Sequence, residues 1–305
     1  MNTTESLPVE VKTFYDKTLL ARLLPTLVFA KYGQKKSLKS RSGKTIEFRK
    51  FASLDAATTP LTEGVAPAGK SLDVTAIQAT VNQYGDFVKI SDVLDLVGID
   101  PVLTESAELL GEQAGLTIDN IVRDIVCAGT NVHYAGGKAA TNEITAADVA
   151  TADDIARAAA TLKKANVKRL EGNYYIGIVD PSIAYDLMKD PLWQDISKYS
   201  GGQAIMAGEI GKLHGVRFIE TTETLVKKNS AGIDVHCAMI IGKDAYGVVD
   251  IDGSVKPENI VKPFGSAGTA DALNQVATSG WKAMFTAKRL DEDCMVRFEC
   301  ATSLN

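Results

Sequence analysis

The chain has 305 residues, 45% of them hydrophobic and 23% charged, with a formal net charge of −5, so it can bury a core and is expected to divide into two lobes. No apolar stretch approaches the roughly 18 residues that cross a bilayer, which argues against a membrane protein. The start MNTTESLPVEVK has acids and a proline where a secretory signal has a basic patch, which argues against export. Its four cysteines and three histidines form neither a C-x-x-C pair nor a zinc spacing, so we expect reduced thiols, no metal and no cofactor.

A basic N-terminal segment precedes an acidic remainder. Residues 1–50 contain eleven Lys/Arg and four Asp/Glu, a balance of +7, which leaves 22 basic and 34 acidic residues, or −12, for the rest. Tyr15 to Gly33 has the apolar spacing of a helix face and stops at a glycine. The segment predicts an arm that touches nucleic-acid phosphates or the acidic body of a neighbouring copy, with a solvated tail as the simpler alternative.

Two predicted strands enclose a loop of small residues. Thr45 to Phe51 alternates polar and apolar side chains, and Leu72 to Lys89 alternates again with a change of phase near Ala76 that would suit a bulge. Between them lies ASLDAATTPLTEGVAPAGKS, which is rich in proline, glycine and small residues. We predict a long two-stranded excursion with a small-residue tip.

The stretch GVAPAGKS, Gly64 to Ser71, matches the phosphate-binding pattern G-x-x-x-x-G-K-[ST]. A phosphate loop needs a buried strand before its first glycine and a helix that begins at its lysine. Here DAATTPLTE precedes the motif, the alternating LDVTAIQATV follows it, and Pro67 removes one loop N–H. The context argues against nucleotide binding, which is kept as a remote alternative.

One long amphipathic helix is predicted over residues 101–128. Asp100 offers an N-cap and Pro101 the first helical position, and apolar residues then recur at steps of three or four until Gly129. The predicted outer face is acidic and carries Glu105, Glu108, Glu112 and Asp119.

A second lobe of mixed α/β type follows a Gly/Ala/Thr-rich loop or hairpin at Val132 to Thr151. Asp153 or Asp154 is predicted to cap the helix IARAAATLKKANV, and YYIGIVD reads as a buried strand before the proline-initiated helix PSIAYDLMKD. GEIGKLHGVRFIETTE and HCAMIIGKDAYGVVDI add strands. The terminal WKAMFTAKRLDEDCMVRFECATS predicts a long hairpin that turns at LDED.

The residues carry no catalytic pattern. There is no G-x-S-x-G elbow, the three histidines are isolated, and the acids of LDED fit a solvated turn. An exposed loop and a basic arm have no reason to exist in an isolated folded chain. The sequence therefore predicts a protein that is not an enzyme and that assembles with copies of itself.

The order of these pieces resembles a known family. GKTIEFRKF followed by ATTPLTEGVAPAGKSLDVTAIQATVNQYGDFVKISDVLDL, then YYIGIVDPSIAYDLMKDPLWQDISKYS and the terminal GWKAMFTAKRLDEDCMVRFECATS, resemble the major capsid proteins of tailed bacteriophages, specifically the N4-like capsid family. The resemblance implies the α+β Hong Kong phage-type capsid fold. It covers the chain from about Thr13 to Ser303, and TPLTEG and VNQYG are its most specific segments.

The resemblance also implies a division of the chain. Residues 1–40 would be the N-terminal arm, 41–83 the extended loop, 84–150 the first part of the peripheral domain with the spine helix at 101–128, 151–260 the axial domain, and 261–305 the return of the peripheral domain. The protein would assemble as pentamers and hexamers into an icosahedral head around double-stranded DNA. Its partners would be itself, the portal, a scaffold or decoration protein, and DNA held non-specifically at the inner face, with no membrane.

Contact residues follow from that implied assembly. The extended loop would contact a neighbour through Glu63, Lys70 and Asp73, and the arm through Arg22, Lys35, Lys36 and Arg41. The arm would lie near the acidic face of the spine helix, formed by Glu105, Glu108 and Glu112. We expect the protein in the virion capsid after assembly in the bacterial cytoplasm, and the alternative of the same fold is the shell of a cellular protein compartment.

Overall fold

In a computed structural model of the protein, two β-sheets lie against one long helix. The structure describes residues 27–39, 43–61, 63–66, 69–97, 102–193, 209–251, 257–266 and 271–304. The α-helices within these ranges are α1 (Phe29–Tyr32), α2 (Asp92–Val97), α3 (Val102–Cys127), α4 (Ala152–Lys164) and α5 (Pro181–Lys189).

The strands of the described residues form two large sheets and a separate hairpin. They are β1 (Gln34–Leu38), β2 (Thr45–Phe51), β3 (Val74–Thr80), β4 (Asn82–Ser91), β5 (Val132–Tyr134), β6 (Tyr175–Val179), β7 (Glu209–Leu213), β8 (Val216–Glu220), β9 (Leu225–Lys228), β10 (Asp234–Ile241), β11 (Tyr246–Ile251), β12 (Glu258–Lys262), β13 (Val276–Arg289) and β14 (Met295–Cys300).

The five-stranded sheet is built around β13. The path β1-β11-β13-β12 is hydrogen-bonded in that order, and β4 pairs antiparallel with β13 from Asn82 opposite Phe285 to Ser91 opposite Val276. The seven-stranded sheet has the order β5-β14-β10-β6-β8-β7, with β9 also paired to β10. β2 and β3 form a two-stranded sheet of their own.

The helix α3 packs on both large sheets. Its buried face shares one hydrophobic core with Trp281 and Phe285 of β13 and with Ile176 and Met239 of the seven-stranded sheet. A second core lies on the other face of the seven-stranded sheet, where α4 and α5 cover β6, β8 and β14. The long helix therefore joins the two lobes of the molecule.

Several local predictions are confirmed. The strand Thr45–Phe51 has the predicted bounds, and the long helix covers Val102–Cys127. The predicted proline-initiated helix is α5, whose first residue is Pro181, and the structure adds Asp180 as its N-cap. Most of the stretch Tyr15 to Gly33, for which an N-terminal helix is predicted, lies outside the described residues. Within the described part, the short helix α1 ends at Tyr32, directly before Gly33.

The predicted terminal hairpin is wrong. β13 and β14 lie in different sheets, and the LDED segment carries the chain from one sheet to the other. β14 is paired with β10 on one edge and with β5 on the other. Most of β13 is paired with β4 on one edge and with β12 and β11 on the other. The hydrogen bonds that a terminal hairpin would need are therefore made with other strands.

Two smaller predictions are also corrected. Thr151 is the N-cap of α4, where its Oγ1 accepts from the N–H of Asp154, so Asp153 and Asp154 lie in the first turn. The predicted strand Leu72 to Lys89 is interrupted at Val81, between β3 and β4, and not near Ala76. Val81 is buried against Phe48, so the strand is interrupted where its side chain enters the hairpin core.

Sheet membership departs from the division that the resemblance implies. β11 and most of β12 fall in the stretch 151–260 assigned to the axial domain, yet they belong to the five-stranded sheet. β14 falls in the stretch 261–305 and belongs to the seven-stranded sheet. The chain changes sheet between Ile241 and Tyr246 and again between Arg289 and Met295.

Candidate inter-subunit surfaces

The β2–β3 hairpin supports a long exposed loop. The pairing runs from Thr45 opposite Thr80 to Phe51 opposite Val74, and the N–H of Ala52 continues it by donating to the carbonyl of Asp73. At the base, Phe48, Ala79 and Val81 pack on Val249 of β11. Beyond Ala52 the described residues up to Asp73 have no regular secondary structure and are all exposed.

Apolar side chains dominate the exposed loop. Leu54, Leu61, Val65 and Leu72 expose 58%, 78%, 64% and 62% of their surface. Large apolar side chains exposed this fully in one segment are typical of a surface that another molecule covers. Sequence reasoning missed these residues because it weighed the charges of the loop, although leucines isolated among small residues were a visible signal.

The charged residues predicted to make contacts lie in the same loop. Glu63, Lys70 and Asp73 are all exposed. The Nζ of Lys70 donates to the carbonyl of Asp55 at 3.1 Å, which ties the two sides of the loop together. With Asp55, the segment from residue 52 to 73 holds three acids and one lysine, a balance of −2.

The nucleotide-binding motif lies in this loop. Lys70 and Ser71 have no regular secondary structure, and the next element is the strand β3, which begins at Val74. A phosphate site needs a helix N-terminus at this point, because its free N–H groups bind the phosphate oxygens. The described part of the motif therefore lacks the element on which phosphate binding depends.

The outer face of the five-stranded sheet carries an open groove. Alternate residues of β13, among them Trp281 and Phe285, face α3, so their neighbours face away from it. A groove of about 880 Å³ on that outer face is lined by Phe87, Ile260 and Gly280. Phe87 is 57% exposed, and a side chain at position 280 would collide with it.

Basic side chains border this groove. Lys89, Lys262 and Lys282 line it together with Asp86 and Asp271. Lys282 also lies 3.7 Å from a carboxylate oxygen of Glu258. The groove thus combines an apolar floor with a border that holds both lysines and carboxylates.

The described part of the basic arm is folded onto its own chain. Lys35 and Lys36 lie in β1, which pairs parallel with β11. The Nζ of Lys36 donates to the carbonyl of Glu47 at 3.3 Å and lies 4.5 Å from the ring centroid of Phe48. Arg22 and Arg41 lie outside the described residues.

The acidic face of α3 is only partly as predicted. Glu105 and Glu112 are exposed and Glu108 is half-buried, but Asp119 is fully buried. Asp119 lies under α1, where its Oδ1 accepts from the N–H of Ala30 at 2.9 Å. The prediction that Asp119 faces outward is wrong because α1 covers that part of the helix.

Burial controls the charge of Asp119. Loss of water raises the pKa of this carboxyl to about 6, although backbone N–H groups of Val28, Phe29 and Ala30 and the charge of Arg123 act to lower it. The hydroxyl of Tyr246 donates to the carbonyl of Phe29 beside it. Asp119 and Tyr246 therefore fasten the start of the described chain to the body.

The described residues hold little reactive chemistry. The cysteines are free thiols, and burial raises the pKa of Cys127 and Cys237 to about 12, which keeps them protonated at neutral pH. His236 and Asp180 form a buried pair, with Nδ1 2.7 Å from Oδ2, that links β10 to the start of α5. Across the described ranges, no group of three His, Cys, Asp or Glu side chains could hold a metal ion, and no helix is long and apolar enough to cross a membrane.

Comparison with known proteins gives a consistent set of matches. The sequence profile of the phage capsid protein family matches residues 74–298. No curated protein sequence matches the chain. Its fold is similar to the capsid structure of the cyanophage P-SCSP1u, with 18% identity over 91% of this chain and 89% of that chain and a TM-score of 0.69.

Other shell structures share the fold. The capsid of Ralstonia phage GP4 is similar over 90% of this chain and 88% of that chain, with 13% identity and a TM-score of 0.73. A virus-like particle from Pyrococcus furiosus is similar over 95% of this chain and all of that chain, with 10% identity and a TM-score of 0.55. The predicted capsid fold is thereby confirmed. Because phage capsids and a virus-like particle share this fold, the fold alone does not tell which kind of particle a chain builds.

Proposed function

The chain belongs to the phage capsid protein family and is a structural major capsid protein of the phage head shell, and we propose that it builds this shell as pentamers and hexamers joined through the β2–β3 loop. The observation that carries the proposal is the loop itself, whose apolar side chains are exposed from Leu54 to Leu72. Exposure of this kind lowers the solubility of an isolated subunit and becomes favourable only when a neighbour covers the loop.

The groove on the five-stranded sheet is the surface of the neighbour that the loop fits best. Phe87 and Ile260 offer an apolar floor for leucine side chains, and Lys89 and Lys262 can receive the acids Glu63 and Asp73. Lys70 would then pair with the neighbour's acidic groups, among them Asp271. Complementary charges at the edge of such a contact set its register more than its strength.

A loop of one copy on the sheet of the next is a head-to-tail contact. Contacts of this type close into rings, and the number of copies follows from the rotation between them. A thin hairpin can change its angle while the two packed cores stay rigid, so one subunit can serve rings of five and of six. Many modest contacts per subunit then give a strong shell through effective concentration.

The arm and the spine helix supply a second proposed contact. Arg22 and Arg41, with Lys35 at the exposed edge of β1, would lie across the acidic face of a neighbour's α3 at Glu105, Glu108 and Glu112. Lys36 contributes less, because it is engaged with Glu47 of its own chain. The contact is electrostatic, so salt should weaken it.

The remaining partners follow from the shell. The acidic body would let packaged double-stranded DNA slide along the inner face without tight binding. A portal and a scaffold or decoration protein would complete the head, and assembly would take place in the bacterial cytoplasm. We propose no catalytic activity, and family membership favours a phage head over a cellular compartment of the same fold.

Electron microscopy and sedimentation of the purified protein test the proposal. The unaltered chain should form closed shells or free rings of five and six. A variant in which residues 54–72 are replaced by Gly-Ser-Gly should keep the circular dichroism of the folded subunit and sediment as a monomer. An unaltered chain that sediments as a monomer at every concentration, or a loop-replaced variant that still forms shells, would contradict it.

A further inference from the structure

Two arginines from different sheets meet at the C-terminal end of α3. Arg289 is the last residue of β13 in the five-stranded sheet, and Arg297 lies in β14 of the seven-stranded sheet. The two strands are consecutive in the chain and diverge into separate sheets. Both side chains nevertheless donate to backbone carbonyls in or just after the last turn of the same helix.

Arg289 makes the link from the five-stranded sheet. Its Nη1 donates to the carbonyl of Ile125 at 3.1 Å, and its Nε donates to Oε1 of Glu292 at 2.6 Å. The other oxygen of Glu292 accepts from the N–H of Thr130 at 3.1 Å. The arginine and its partner thus hold both the last turn of α3 and the residues that follow it.

Arg297 makes the link from the seven-stranded sheet. Its Nη1 donates to the carbonyls of Cys127 and Gly129, the latter at 3.1 Å. Its Nε lies 2.8 Å from Oε1 of Glu299. The side chain of Glu299 is fully buried, and its Oε2 accepts from the hydroxyl of Thr141 at 2.6 Å. A buried carboxylate that is itself hydrogen-bonded fixes the direction of the guanidinium.

These bonds act where apolar packing cannot. The last carbonyls of a helix have no partner within it and carry the negative end of its dipole, so cations bind there favourably. The core that α3 shares with both sheets is large, but apolar contact has no preferred direction and tolerates small rotations. A planar guanidinium with fixed donors does not tolerate them.

We infer that Arg289 and Arg297 set the angle between the two sheets and thereby the curvature of the shell. The inference rests on the proposed function. If the seven-stranded lobe gathers around a ring axis and the five-stranded lobe receives the neighbour's loop, the angle between them determines the tilt of one subunit against the next. A change of a few degrees in each subunit accumulates around a closed shell and alters its diameter.

Arg289 is the position at which to test this, because its side chain is 30% exposed, against 12% for Arg297. Arg289→Met keeps the packing of the side-chain stem and removes both donated bonds. Arg289→Lys keeps the charge but lacks the fork that reaches Ile125 and Glu292 together. Arg157→Met is the matched control, since Arg157 is an exposed arginine paired with Asp153 within α4.

Particle diameters measured by electron microscopy, together with the thermal midpoint of the subunit, decide the outcome. We expect a broadened or shifted diameter distribution for Arg289→Met, a smaller shift for Arg289→Lys and none for Arg157→Met. Unchanged diameters in both Arg289 variants would overturn the inference. If the unaltered chain formed no shells, the proposed function would fail instead.

Glu292→Gln covers the case in which Arg289→Met does not fold. The amide has one acceptor oxygen, so it can accept from Arg289 or from the N–H of Thr130 but not from both. Glu292→Gln keeps the shape of the side chain and the bond from Arg289 to Ile125, but removes the charge that orients the guanidinium. We expect shells with a diameter distribution wider than that of the unaltered chain. Shells of unchanged size and uniformity from this variant would also overturn the inference.

Discussion

The seven-stranded sheet and the β2–β3 loop use apolar side chains in opposite ways. In the sheet, all five residues of β6 and seven of the eight residues of β10 are buried, and two helices cover one face. In the loop, four large apolar side chains are more than half exposed. Burial in the sheet stabilises the subunit, whereas burial of the loop awaits a neighbour and stabilises the assembly.

The largest effect on the subunit is expected from its sheet core. Phe218 of β8 is fully buried, and its ring centroid lies 5.5 Å from that of Trp193. Phe218→Ala should lower the free energy of unfolding by about 3–5 kcal/mol, because it removes a large side chain and leaves a cavity. Urea unfolding of unassembled subunits measures this, and a loss below about 1 kcal/mol would show that the core is loosely packed.

The largest effect on assembly alone is expected from the loop. The triple substitution of Leu54, Leu61 and Leu72 to serine should abolish shells and leave the free energy of unfolding within about 0.5 kcal/mol, since these side chains are exposed in the subunit. Sedimentation and urea unfolding of the same sample separate the two effects. If the triple variant lost as much subunit stability as Phe218→Ala, the claim that the loop leucines stabilise only the assembly would be contradicted.

These two regions also differ in how far the sequence predicted them. The β6–α5 unit is correct because its signals are local: a run of β-forming apolar residues, then Asp180 and Pro181 at the start of a helix. The loop was placed correctly by its proline and glycine content. Its contact residues were predicted from charge alone. The sequence does not show that the leucines of the loop are exposed, which depends on the three-dimensional structure.

Errors arose where the outcome depends on distant parts of the chain. The LDED segment has local turn chemistry, but β13 pairs with β4, which lies about 200 residues earlier, and β14 pairs with β10 and β5. Asp119 has the heptad position of an outer-face residue after Glu105 and Glu112, yet α1 covers it. Neither strand pairing across the chain nor burial beneath another element is encoded in a local pattern.

The buried carboxyl of Asp119 makes the body sensitive to pH in a way that the loop is not. Its pKa in the folded state is about 6, above the ordinary value of 3.8, so the folded subunit binds more protons than the unfolded chain between these values. Stability should therefore fall by roughly 2–3 kcal/mol as the pH rises from about 4 to about 6.

Asp119→Asn should remove this dependence, because the amide stays neutral and its Oδ1 can still accept from Ala30. Urea unfolding at pH 4 and pH 7 in the loop-replaced background, which is expected to stay monomeric, measures the difference between the two pH values. If the free energy of unfolding changed equally with pH in the aspartate and asparagine forms, the pH dependence would come from other groups.

The smallest effect is expected from Lys70. Its bond to the carbonyl of Asp55 is exposed, so Lys70→Ala should change the free energy of unfolding by less than about 0.5 kcal/mol. Shell yield should fall less than in the leucine triple variant, because a charge at the edge of a contact contributes little affinity. Equilibrium dialysis with ATP should detect no binding to either form, and binding that Lys70→Ala abolishes would restore the nucleotide hypothesis.

Disulfide cross-linking tests most directly whether the loop of one copy lies on the sheet of the next. Leu61→Cys, in the loop, and Ile260→Cys, in the groove, are combined in one chain, and shells are oxidised and run under denaturing, non-reducing conditions. A head-to-tail contact predicts a ladder of products up to five and six chains, which neither single variant produces. Monomers alone, or a ladder that ends at the dimer, would contradict the contact on which the assembly is proposed to depend.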